Sequence, residues 1–71
     1  MIREFNVVIE KDSDGYFVAS IPNLKGCHTQ AKSLDILMVR IQEAAEICLE
    51  FENQDSPSTE FVGIQKIVVE V

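Results

Sequence analysis

Residues 3–11 alternate in polarity, with Phe5, Val7 and Ile9 on one side and Glu4, Asn6 and Glu10 on the other. A period of two is the signature of a half-buried strand, because successive side chains point to opposite faces. The alternation stops at Asp12-Ser13-Asp14-Gly15, where glycine supplies the positive φ of a hairpin turn. Residues 16–21 are aromatic and β-branched and read as the returning strand. Pro22-Asn23 ends it, since proline lacks a ladder donor and asparagine favours turns. After Gly26, residues 27–31 predict a short third strand.

The period changes at Ser33, a helix-capping residue followed by Asp35 in the first turn, where an acid suits the positive end of the dipole. Leu34, Leu37, Met38, Ile41, Ala45, Cys48 and Leu49 recur at helical spacing and predict one apolar stripe. Asp35, Gln42, Glu43, Glu46 and Glu50 predict a polar, acidic stripe elsewhere. Ile36, Val39 and Ile47 lie off the apolar stripe. They are either scattered exposed hydrophobes, which are common, or part of an interface. The helix is expected to fade near Glu52, before a polar loop at residues 53–59. Residues 61–71 are β-branched and apolar on both faces, with Ile64 and Val68 opposing Ile67, Val69 and Val71. Such a strand is either central or covered by another subunit.

The predicted order is strand, strand, strand, helix, strand. This is an α+β fold: an antiparallel meander, one helix on one face, and a final strand returning to the sheet. No repeat or linker divides residues 1–71, so a single domain is expected. At 71 residues and 8.0 kDa, a chain buries only roughly 60% of its unfolded surface and needs a disulfide, a metal or self-association. A homo-oligomer, dimer or tetramer, is the expectation, with Ile36, Val39, Ile47, Ile64 and Val68 at its interface.

Six Lys and Arg against twelve Asp and Glu give a net charge of −6. Such a surface repels phosphate backbones and anionic headgroups, which argues against direct nucleic-acid or membrane binding. It attracts basic partners. The N-terminus, Met1-Ile2-Arg3-Glu4-Phe5, shows no signal or membrane-spanning run. The reading is therefore cytoplasmic, with Cys27 and Cys48 as reduced thiols rather than a bridge.

Candidate chemistry is thin. Glu10-Lys11-Asp12-Ser13-Asp14-Gly15 matches the opening of a calcium-binding loop. The bidentate glutamate that such a loop requires falls at Ile21, and strands flank it instead of helices. Cys27 and His28 are adjacent, so on a strand they face opposite ways and do not share a metal or form a catalytic dyad. The helix acids read as a solvated face rather than a metal-binding cluster, and no phosphate-cradling glycine loop is present. No catalytic residues, metal or cofactor are assigned.

Residues 12–30, Asp-Ser-Asp-Gly-Tyr-Phe-Val-Ala-Ser-Ile-Pro-Asn-Leu-Lys-Gly-Cys-His-Thr-Gln, resemble the HicB-type antitoxin family. The shared pattern is an acidic-Gly turn, an aromatic strand, a proline and a Leu-x-Gly-Cys-x-Thr run. A Ser-capped helix rich in Ala and Glu follows at residues 33–49. Gly15, Tyr16, Phe17, Pro22, Gly26, Cys27 and Thr29 carry the motif. Ala31 departs from it, since many relatives have glycine just after the Thr-Gln pair. The resemblance implies a degenerate ribonuclease-H-like fold without catalysis. It also implies a partner, a small basic HicA-type toxin that cleaves mRNA. Longer relatives add a C-terminal DNA-binding domain that the 71 residues do not include, so autorepression is not carried over.

Two alternatives stand beside the antitoxin reading: a residual metal-dependent nuclease or hydrolase on the same fold, and a solitary homo-oligomeric binding protein. Under the antitoxin reading, Glu43, Glu46 and Glu50 are the candidate partner contacts.

Overall fold

The computed structural model describes residues 2–51 and 60–71. Three short strands form an antiparallel sheet in the order β1-β2-β3: β1 is Val8–Lys11, β2 is Phe17–Ser20 and β3 is His28–Ala31. One helix, α1, Leu34–Glu50, follows. The strands are shorter than the periodicity predicts, but their order and the antiparallel meander are as expected.

Each connection has a local cause. Between β1 and β2, the Asp12 carboxylate accepts the backbone N–H groups of Asp14 and Tyr16 at 3.0 and 2.9 Å. The Asp12 N–H in turn donates to the Tyr16 carbonyl at 2.8 Å. Gly15 takes φ +86°, the left-handed region that other residues avoid. Between β2 and β3, the Ile21 N–H donates to the Cys27 carbonyl at 3.0 Å, and the Cys27 N–H to the Leu24 carbonyl at 3.1 Å. That pinched loop turns Ile21, Leu24 and Cys27 inward, where all three are buried. Before the helix, the Ser33 hydroxyl accepts the Ile36 N–H at 3.3 Å, a side-chain cap for a donor the first turn leaves unpaired. The Phe51 N–H closes the other end on the Cys48 carbonyl at 3.2 Å.

Register fixes the two faces of the sheet. Ile9, Ala19 and Thr29 form one row, and Lys11, Phe17 and Ala31 the next row on the same side. Ala19 and Ala31 are buried there, together with Leu37 and Ile41 of α1. The opposite face carries Glu10, Ser20, His28 and Gln30, which suit water, together with the half-buried Val8 and Val18. The helix lies over β3 and β2 and does not reach β1. Arg40 extends from it to donate to the Gln30 carbonyl of β3 at 2.8 Å.

Two expectations are corrected. The final strand does not return to the sheet: residues 60–71 pair with none of the described strands. Val62 and Val68 are more than nine-tenths exposed. A β-branched apolar run dictates an extended chain, but the edge it pairs with depends on tertiary geometry that a period of two does not encode. Within the helix, Leu34 and Met38 leave the core stripe and stand 48% and 45% exposed. Leu34 is the first residue of α1, at the end of the core-facing side, and Met38 lies on the flank away from β3, beside Gln42. The expected polar loop at residues 53–59 lies outside the described residues.

Candidate partner-binding surface

At about 100° per residue, Ile36, Val39, Arg40, Glu43, Glu46, Ile47 and Glu50 fall within an arc of roughly 120° on α1. All seven are exposed. The arc lies opposite Leu37, Ile41 and Cys48, so it faces away from the sheet. The sequence separates an acidic stripe from off-stripe hydrophobes. On the folded helix they are one mixed surface, with Ile36, Val39 and Ile47 interleaved among the three glutamates. Glu46 and Glu50 sit toward the C-terminal end, and the last turn carries no basic residue. Carboxylates there oppose the helix dipole, a modest destabilisation that a cation docking on this end would relieve.

The remaining sequence-predicted residues lie elsewhere. Tyr16 is half-buried, with the Lys32 ammonium 4.7 Å from its ring centroid. Phe17 lies beneath Lys11, 5.4 Å from centroid to nitrogen, and packs against the core. Pro22 is exposed on the loop, Gly26 has φ +72°, and Thr29 is half-buried opposite Ala19. Ile64 and Val68 are exposed on the C-terminal segment. Cys27 is buried and His28 exposed, on opposite sides. Burial, then the neighbouring Cys48 thiol, pushes the Cys27 pKa up to about 12. Both cysteines are free thiols.

Among the described residues, no three His, Cys, Asp or Glu side chains come close enough to hold a metal ion. In the loop that resembles half a calcium site, Asp12 Oδ1 accepts two backbone N–H groups. No helix among the described residues is long and apolar enough to cross a membrane.

A second surface went unnoticed in the sequence. A groove of about 320 Å³ runs beside α1 on the β1 side, lined by Phe5, Val7, Ile21, Met38, Val39, Ile41, Gln42 and Ala45. The signal was Met38, placed with the core although it sits on the flank of the apolar stripe toward Gln42.

The structure is a small α+β domain whose helix presents a mixed acidic and apolar outward face. Residues 5–69 match the family described as HicB_like antitoxin of bacterial toxin-antitoxin system, and the chain belongs to that family. It is also similar to a UPF0150 protein of Archaeoglobus fulgidus, 56% identical over 68 residues that cover 96% of this chain and 94% of the relative. A UPF0150 protein of Synechocystis sp. is 48% identical over 67 residues, covering 94% and 96%. One from Thermotoga maritima is 31% identical over 67 residues, covering 93% and 89%.

Proposed function

We propose that this chain is an antitoxin that neutralises a small basic HicA-type toxin by covering it, without catalysis of its own. On this reading it acts in the cytoplasm, as one domain with a degenerate ribonuclease-H-like frame. The observation that carries the proposal is the outward face of α1, where Glu43, Glu46 and Glu50 share one exposed surface with Ile36, Val39 and Ile47, bordered by Arg40. Carboxylates steer a cationic partner and raise the encounter rate, and desolvated apolar side chains at the centre slow its departure. Membership of an antitoxin family supports a toxin as the partner. A net charge of −6 supports its being basic.

The test is co-expression with the product of the neighbouring gene, expected to be a small basic protein, followed by pull-down and growth rescue. The chain is expected to capture that protein and restore growth. Reversing Glu43, Glu46 and Glu50 to Lys is expected to weaken binding by at least tenfold and flatten its salt dependence, with an unchanged circular dichroism spectrum. Undiminished affinity in that variant would remove the acidic face from the interface. RNA cleavage by the purified chain with magnesium or manganese would replace the antitoxin reading with the nuclease one.

A further inference from the structure

Residues 61–71 are mostly apolar and pair with no described strand. Ile67, Val69 and Val71 fall on one side of the segment in an unbroken apolar row. The other side carries Val62, Ile64 and Val68 with Lys66 and Glu70 between them. An exposed apolar strand of this length is a hazard unless something covers it. Among the described residues, the edge at β1 offers a matching place. The strand order leaves β1 at an edge of the sheet, and the helix, displaced toward β3, leaves the flank of β1 bare. The groove with Phe5 and Val7 on one wall and Met38 and Val39 on the other lies along that flank.

We propose that residues 61–71 of one copy add as a strand along β1 of a second copy, with Ile67, Val69 and Val71 in that groove, and that the second copy reciprocates. Charge selects this occupant. Two copies of net charge −6 repel each other over most of their surfaces. None of the eight residues lining the groove is charged, and within residues 61–71 Lys66 balances Glu70. Strand and groove are therefore the surfaces on which like-charged copies meet without penalty. A basic partner, by contrast, gains nothing there and is drawn to the glutamates of α1. Backbone pairing along β1 supplies hydrogen bonds and the groove supplies register, as in other strand additions. The reciprocal exchange is isologous and closes at two chains. It covers Val39 at the border of the outward face of α1, leaves Ile36, Glu43, Glu46, Ile47 and Glu50 open, and does not depend on the antitoxin reading.

Light scattering on the whole chain at micromolar concentration is expected to give twice 8.0 kDa. Val69→Asp is expected to shift it to the single-chain mass. The decisive measurement uses unmodified chains, one half carbon-13 labelled and the other half unlabelled. Isotope-filtered spectra should show Val69 methyl groups of one copy against Phe5 and Met38 of the other. This readout stands even if the Val69 variant does not fold. A single-chain mass for the unmodified protein overturns the proposal. So do Val69 contacts found only within one chain, the sign of a segment folded back on its own groove. A dimer without the filtered contacts overturns it equally.

Discussion

Single positions carry much of the local structure. Gly15 adopts a φ of +86° with nothing within 4 Å of where a Cβ would stand. The penalty for Gly15→Ala is therefore conformational rather than steric. It is expected to be about 1 kcal/mol, read as a lower urea midpoint with an unchanged slope. Cys27 makes a different prediction. Its thiol is raised from an ordinary 9.0 to about 12 by burial and by Cys48, so the folded state favours the protonated form. The unfolded chain releases that proton first as pH rises. The contribution of Cys27 is whole below pH 9 and is lost progressively between 9 and about 12. Melting temperature is expected to fall on that limb, and Cys27→Ala to shallow the fall in a series of melts from about pH 8 to 11. The burial of Cys27 and the exposure of His28 were legible from adjacency alone, because alternation leaves neighbours no common side.

At the scale of elements, the helix shows what pattern does and does not encode. Ser33, Asp35 and the recurrence of apolar positions announced α1 to within a residue or two. They also separated Leu37, fully buried, from Ile36, half exposed. Leu37→Ala is expected to cost about 2–5 kcal/mol, whereas Ile36→Ala should stay within about 0.5 kcal/mol. Chemical denaturation of the two variants side by side checks the contrast. Met38 and Leu34 escaped such reasoning because a stripe has a width but no label for its flank. Which flank lies bare depends on where the helix rests on the sheet. The interleaving of Glu43, Glu46 and Glu50 with Ile36, Val39 and Ile47 could be computed from the sequence once these residues are plotted on one helix. Treating charge and hydrophobicity as separate stripes hid it.

For the whole molecule, three strands, their order and the position of the single helix followed from period changes and turn residues. The fate of residues 61–71 did not. Their composition specifies an extended chain with two apolar sides, and nothing local distinguishes pairing within a chain from pairing between chains.

The two borders of the sheet are unequal. Along β3 the helix lies close above, and Arg40 occupies the Gln30 carbonyl at 2.8 Å; β1 lies beyond the reach of the helix. Ribbon-like polymers need every molecule to accept a neighbour at both borders, one on the left and one on the right. With the Gln30 carbonyl already engaged, β3 has one acceptor fewer to offer such a neighbour.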